Sequence, residues 1–99
     1  MRFLCRLFRR GVAAPADPDP QATLIACLRR DGLHAEAARL HALRFETAWT
    51  TGSELLGEFG LAMKAMRRTV RRQGGTQTRA AFAAAKRVVR RAWPQMFWL

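Results

Sequence analysis

Apolar residues recur at helical spacing along this chain, in segments bounded by prolines and glycines. The clearest series is Leu55, Phe59, Ala62 and Met66, which are separated by four, three and four residues. No stretch alternates apolar and polar residues as a strand does, and no segment is repeated. The pattern therefore predicts an all-α fold, a small helical bundle of three to four helices with an N-terminal amphipathic arm.

The first two predicted helices are joined by a short turn. Asp19 is a good N-cap and Pro20 suits the first helical position, so the first helix begins at residue 20 and runs to about residue 30. Gly32 ends it, because glycine adopts the left-handed cap conformation without steric cost. The second helix is predicted over residues 33–49. It is apolar on two sides, which indicates a central helix packed between neighbours. One side consists of Ala35, Ala38, Ala42, Phe45 and Trp49, and the other of Leu33, Ala37 and Leu40.

The third and fourth helices are predicted to form an antiparallel hairpin. Thr51 and Glu54 match a capping box, which predicts a third helix over residues 53–73. Gly74 and Gly75 end that helix, and Thr76 can cap a fourth helix that runs to about residue 93.

Phe59 is predicted to lie at the centre of the packed body, facing the second helix. Gly57 and Gly60 flank it in the sequence. Glycine costs up to about 1 kcal/mol inside a helix. Two glycines in one helix therefore indicate a close approach of the neighbouring helix.

The chain is predicted to contain an arm, a linker and one helical domain. In residues 1–10, apolar and basic residues fall on opposite sides of a helix: Phe3, Leu4, Leu7 and Phe8 against Arg2, Arg6, Arg9 and Arg10. Residues 11–19 (GVAAPADPD) have the composition of an extended linker. The helical domain then spans residues 20–99. An Arg-rich, acid-poor start is also typical of a transit peptide, which is the alternative for the arm.

The positive charge is concentrated after Glu58, the last acidic residue. Residues 1–60 carry eight basic and seven acidic groups, a balance of +1, whereas residues 61–99 carry ten basic groups and no acid. A field of this kind attracts a polyanion, which can be nucleic acid, an anionic bilayer or an acidic protein.

The leading hypothesis is nucleic-acid binding, non-specific or weakly specific, by the third and fourth helices. The predicted contact residues are Lys64, Arg67, Arg68, Arg71, Arg72, Arg79, Lys86, Arg87, Arg90 and Arg91. Phe82 and Trp93 fall on the opposite arc of the fourth helix, which favours contact with duplex phosphates over base stacking. Two alternatives remain. One is a peripheral membrane protein held by the basic face and the aromatic termini, and the other is an adaptor that docks an acidic protein.

No catalytic residue, cofactor or metal site is predicted. His34 and His41 lie about 10 Å apart along a helix axis, too far for one zinc ion. Cys5 and Cys27 have no recognisable base nearby in sequence and do not make a disulfide framework. No apolar run approaches the roughly 18 residues that a membrane span needs. We therefore expect a cytoplasmic protein that is not an enzyme, with association at a membrane surface as the alternative.

Overall fold

The computed structural model describes residues 17–95, which form four helices. These are α1 (Pro20–Arg30), α2 (His34–Phe45), α3 (Gly52–Gln73) and α4 (Thr76–Ala92). Each helix packs against two others, in the closed order α1, α2, α3, α4 and back to α1. The predicted all-α bundle is confirmed for this part of the chain. The predicted arm, residues 11–16 of the linker and the last four residues lie outside the described range.

Consecutive helices run antiparallel, because short connections return the chain along its own direction. A guanidinium nitrogen of Arg44, near the end of α2, lies 3.3 Å from a carboxylate oxygen of Asp19 at the start of α1. The indole Nε1–H of Trp93, just after α4, donates to the carbonyl of Ser53 at the start of α3 over 2.8 Å. The start of α1, the end of α2, the start of α3 and the end of α4 therefore share one end of the bundle. We call this end, which also holds Trp49, the tryptophan end.

The turn between α1 and α2 is a Schellman motif. The N–H of Gly32 donates to the carbonyl of Arg29 over 3.0 Å, and the N–H of Leu33 donates to the carbonyl of Leu28 over 2.9 Å. Gly32 has a φ of +81°, in the left-handed region that favours glycine. Leu28 and Leu33 are both buried, as the hydrophobic contact of this motif requires. The predicted end of the first helix is confirmed.

α2 ends at Phe45, so the predicted end at residue 49 is wrong. The hydroxyl of Thr47 donates to the carbonyl of Ala42 over 2.9 Å, and the indole Nε1–H of Trp49 donates to the carbonyl of Leu43 over 2.6 Å. These side chains satisfy the last carbonyl groups of α2 and turn the chain away from the helix axis. Trp49 therefore lies in the connection between α2 and α3.

The prediction that the second helix is the central element is also wrong, because only one of its apolar sides is buried. Ala37 and Leu40 lie in the core. On the other predicted side, Ala35 and Ala38 are exposed, and the Phe45 side chain is 51% exposed. In the closed ring of four described helices, no helix is packed between all the others, and Ala35, Ala38 and Phe45 on this second side face solvent.

α3 begins with the predicted capping box. The Thr51 hydroxyl accepts from the N–H of Glu54 over 3.2 Å, and the Glu54 carboxylate accepts from the N–H groups of Thr50 and Thr51. A Cβ placed on Gly57 would meet the indole of Trp93 at 3.4 Å. The close contact at Gly57 is therefore made by the end of α4 and not by the second helix, as the sequence pattern suggested.

The core draws apolar side chains from all four described helices. Phe59 is 0% exposed, in agreement with its predicted central position, and is the largest fully buried side chain among the described residues. The buried cluster consists of Leu24, Ile25, Leu28, Leu33, Ala37, Leu40, Phe59, Ala62, Met63, Met66, Val70, Ala81, Phe82, Ala85 and Val89. Since both hairpins contribute to this cluster, residues 20–92 form one packed unit.

Asp31, at the end of α1, fixes the start of α4. Its carboxylate accepts from the N–H of Gly75 over 2.7 Å and from the buried hydroxyl of Thr78 over 2.5 Å. Thr76 is the first helical residue and not the cap, so the predicted role of Thr76 is wrong. A carboxylate at a helix N-terminus is favoured by the helix dipole. The hydrogen bonds from Gly75 and Thr78 lower the pKa of Asp31.

Candidate polyanion-binding face

A cleft of about 180 Å³ lies between α3 and α4, close to their connection. Four of its lining residues are cations, two from each helix, and no acidic side chain lines it. We call it the basic cleft; its lining residues are Arg67, Val70, Arg71, Arg79, Phe82, Ala83 and Lys86.

The basic lining continues along α4 towards the tryptophan end. A wider depression of about 440 Å³ follows, and Lys86 lines both it and the basic cleft. The other residues of this depression are Arg87, Arg90, Arg91 and Pro94. Together the two depressions define the basic face. It holds seven of the ten cations predicted from sequence: Arg67, Arg71, Arg79, Lys86, Arg87, Arg90 and Arg91.

The other three predicted cations, Lys64, Arg68 and Arg72, line neither depression. Successive residues of an α-helix are rotated by about 100°. By that rotation, Arg68 lies about 180° from the buried Phe59, and Arg72 lies on the flank of α3 turned away from α4. Seven of the ten predicted cations therefore share one face, and the binding role of all ten stays a prediction.

Arg79 has a structural contact as well as a place in the basic cleft. Its Nη1 donates to the carbonyl of Gly74 over 2.6 Å, which satisfies a backbone acceptor at the end of α3. A guanidinium carries five N–H donors, so this bond leaves most of its donors available to an anion.

Five cations of the basic face make no hydrogen bond or ion pair with another residue of 17–95: Arg71, Lys86, Arg87, Arg90 and Arg91. The pairs Lys86–Arg90 and Arg87–Arg91 are like charges four residues apart on one helix, an arrangement that destabilises a helix by about 0.2–0.5 kcal/mol per pair. The helix dipole compensates part of this cost for Arg90, Arg91 and Arg71, which lie in the last turns of their helices. It does not account for Lys86 and Arg87. A bound anion would relieve the repulsion at these positions.

Phe82 forms the floor of the basic cleft and does not project from it. Its side chain is only 8% exposed, and Val70 beside it is buried. Phe82 was predicted on the arc opposite the cations, and in the structure it lines the cleft between the cations of α3 and α4. The described part of the basic face therefore offers no exposed aromatic ring on which a base could stack.

Metal and membrane-spanning features are absent from the described residues. No group of three or more histidine, cysteine or acidic side chains is placed to hold a metal ion within residues 17–95. None of the four helices is long and apolar enough to cross a bilayer.

No family model, curated protein or solved structure matches this chain.

Proposed function

We propose that this chain binds double-stranded nucleic acid through its phosphates, without reading the base sequence. The observation that supports this proposal is the basic face itself, where side chains of α3 and α4 bring seven cations together and no acidic side chain lines the surface.

The charge density of the basic face suits a duplex. Arg79 and Arg91 are twelve residues apart in α4, which corresponds to about 18 Å along the helix axis. A duplex presents one phosphate charge per roughly 1.7 Å of its axis, or about ten over the same length. The seven cations over that distance can pair only with the phosphates on the side of the duplex that faces the helices, so seven contacts is an upper limit.

Duplex is favoured over single strands because the described basic face lacks stacking platforms. Base–aromatic stacking contributes about 1–3 kcal/mol per base in single-strand binders. Phe82 is covered, and Trp49 and Trp93 lie at the tryptophan end and do not line the basic cleft. Arginine and lysine contacts to phosphate hold either form without discriminating sequence.

The proposal is tested by measuring the fluorescence anisotropy of labelled duplexes at several salt concentrations. The logarithm of the association constant should fall linearly with the logarithm of salt concentration, with a slope of about −0.9 per phosphate contacted and thus no steeper than about −6 for seven contacts. Two duplexes of unrelated sequence should bind alike, and a single strand of the same length should bind more weakly.

Two competitors separate this proposal from the alternative functions. Vesicles rich in anionic lipid test the membrane alternative, and polyglutamate tests the acidic-protein alternative. Each is added to the duplex complex at matched charge concentration. Neither should displace the duplex. Displacement by one of them, absent binding at low salt, or binding that is independent of salt contradicts the proposal.

A further inference from the structure

A second cleft, of about 360 Å³, lies at the tryptophan end on the outward side of the first turns of α3. Its lining is aromatic and apolar, with two carboxylates: Trp49, Glu54, Gly57, Glu58, Leu61 and Trp93. We call it the tryptophan cleft. It is separate from the basic face, and the proposed function makes no use of it.

The aromatic walls of the tryptophan cleft are held in place before any partner arrives. The indole Nε1–H of Trp49 is bonded to the carbonyl of Leu43, and that of Trp93 to the carbonyl of Ser53. A side chain already fixed in its bound geometry loses little conformational entropy on binding. Tryptophan is also among the residues that carry most binding energy at protein interfaces.

The chemistry of the tryptophan cleft selects a ligand that is apolar on one side and cationic on the other. The Leu61 side chain is 48% exposed, which leaves a large apolar surface in contact with water. The Glu54 carboxylate is held by the capping box, whereas Glu58 is exposed and forms no ion pair with another residue of 17–95. Glu54 and Glu58 are the only acidic residues of α3. A basic amphipathic helix laid into a groove is the recognition mode that fits these features.

We propose that the tryptophan cleft binds residues 1–10 of the same molecule. This segment has the required pattern, with Phe3, Leu4, Leu7 and Phe8 on one side of a predicted helix and four arginines on the other. Its charge of +4 and absence of acids complement Glu54 and Glu58. The apolar side would cover Leu61 and the two indoles, and the arginines would lie at the carboxylate rim.

The chain leaves the bundle close enough for this docking. Asp19 lies at the tryptophan end, 3.3 Å from Arg44, and the adjacent Leu43 is hydrogen-bonded to Trp49, a wall of the cleft. Residues 11–16 can span up to about 20 Å when extended, at roughly 3.3 Å per residue. A short tether gives the arm a millimolar effective concentration at the cleft. The arm of the same molecule is therefore favoured over that of a second copy.

The docking is tested on the full chain with a nitroxide spin label on Cys5. Cys27→Ala leaves Cys5 as the single thiol, and by the helical rotation of about 100° per residue Cys5 lies away from the middle of the arm's apolar side. We expect the label to broaden away the indole N–H signals of Trp49 and Trp93 in a ¹⁵N spectrum. Both signals should return when the label is reduced.

A matched pair of variants locates the docking site. Glu58→Gln with Leu61→Gln removes one carboxylate and one exposed apolar side chain from the cleft, and should restore both indole signals with the label still active. The control, Glu36→Gln with Phe45→Gln, makes the same kind of change on α2 and should leave both signals broadened. The backbone amide spectra report that each variant remains folded.

Three results would contradict the proposal. The first is that the oxidised label leaves both indole signals unchanged. The second is broadening that persists in the cleft variant, which places the arm elsewhere. The third concerns a mixture of two kinds of chain: ¹⁵N-labelled chains that carry Cys5→Ala, and chains without ¹⁵N that carry the spin label on Cys5. Broadening of the indole signals in this mixture would show that the arm reaches a second copy. None of these measurements involves nucleic acid, so they are independent of the proposed function.

Discussion

The α1–α2 hairpin and the α3–α4 hairpin share one core but differ in net charge and in how many of their charged side chains form ion pairs. Residues 17–46 contain four basic and five acidic groups, a balance of −1, and residues 52–95 contain ten basic and two acidic groups, a balance of +8. In the first hairpin, Arg44 pairs with Asp19 at 3.3 Å and Arg30 with Asp31 at 4.0 Å. In the second, most cations of the basic face have no anionic partner among the described residues.

This difference concerns the surface potential and not the stability of either hairpin. Exposed ion pairs contribute roughly 0–1 kcal/mol each, so the pairs of the first hairpin mainly neutralise its surface. The unpaired cations of the second create a field that acts on a partner. The first hairpin is therefore nearly neutral at its surface, whereas the second has a strongly positive surface.

The largest expected effect tests whether the two hairpins are one cooperative unit. Phe59→Ala empties the centre of the shared core, and a buried Phe→Ala change costs about 3–5 kcal/mol. That is a large part of the stability of a small domain. The variant should be molten or largely unfolded at 25 °C by near-UV and far-UV circular dichroism, with both hairpins losing protection together in hydrogen exchange.

Two controls accompany Phe59→Ala. Phe45→Ala removes the same type of side chain from an exposed position, and Arg71→Ala changes the basic cleft without touching the core. Both should melt near the parent. If Phe59→Ala itself melts within a degree or two of the parent, then Phe59 is not in the core and the orientation of α3 described above is wrong.

The next largest effect is expected from a variant that tests whether the cations of the second hairpin bind duplex nucleic acid. Replacing Arg67, Arg71, Arg87 and Arg90 by Gln removes four cations of the basic face. At about 0.9 per contact, the salt slope should become shallower by about 3 to 4, and duplex affinity near 0.15 M salt should fall by up to about three orders of magnitude. The loss should be the same for unrelated sequences.

Variants with two substitutions each locate the binding surface more closely. Arg71→Gln with Arg90→Gln should reduce the slope by nearly 2, at about 0.9 per contact. Arg68→Gln with Arg72→Gln removes equal charge from α3 outside the basic face, and Arg29→Gln with Arg39→Gln removes it from the first hairpin. Equal losses for all three pairs would show that only net charge matters and that the basic face is not a site.

A smaller effect is expected at Asp31, which joins the hairpins. Asp31→Asn weakens the acceptor for the N–H of Gly75 and the hydroxyl of Thr78, so the unfolding midpoint at pH 7 should fall. Because the folded pKa of Asp31 is lowered, its stabilisation is complete above the unfolded value of about 3.9 and is lost as pH falls through the folded value. The difference in unfolding midpoint between the parent and Asp31→Asn should therefore shrink as the pH falls below about 4.

Thermal melts of both proteins from pH 7 to pH 2 check this dependence. In the chain that lacks residues 1–16, Glu58→Gln removes a carboxylate that forms no ion pair with another described residue and should leave the acid dependence of that truncated chain unchanged. A constant difference in midpoint between the parent and Asp31→Asn across the whole range would mean that the charge of Asp31 makes no contribution.

The smallest effect is expected from deleting residues 1–16, since the described helices form a complete core without them. The midpoint should fall by less than about 8 °C, which corresponds to roughly 1 kcal/mol in a domain of this size. Calorimetry of the full and truncated chains measures it. A larger fall would place the arm in the core and not on the outward surface of α3.

Local signals were sufficient for most helix boundaries. The cap at Asp19, the turn at Gly32 and the capping box of Thr51 and Glu54 each depend on residues within a few positions of one another. The end of α2 was mispredicted because it depends on the side chains of Thr47 and Trp49 returning to the helix. Helical periodicity alone contains no signal for that return.

The charge of the basic face is visible in the sequence, but its extent is not. All seven cations of the basic face belong to the ten named from sequence, because charge segregation after Glu58 is visible in the chain itself. The exclusion of Arg68 and Arg72 follows from which flank of α3 packs against α4, and the tryptophan cleft joins residues 44 positions apart. Neither can be derived from spacing along one helix.

The sequence by itself determined the helical class, the place of Phe59 in the core and the accumulation of positive charge in the second half of the chain. These properties follow from periodicity, capping and composition, which act over one or two turns. The tertiary structure decided which cations face one another across the α3–α4 seam, how Asp31 holds the start of α4 and where the two tryptophans form a cleft. Those contacts depend on the rotation and pairing of whole helices, which the packing of the shared core fixes.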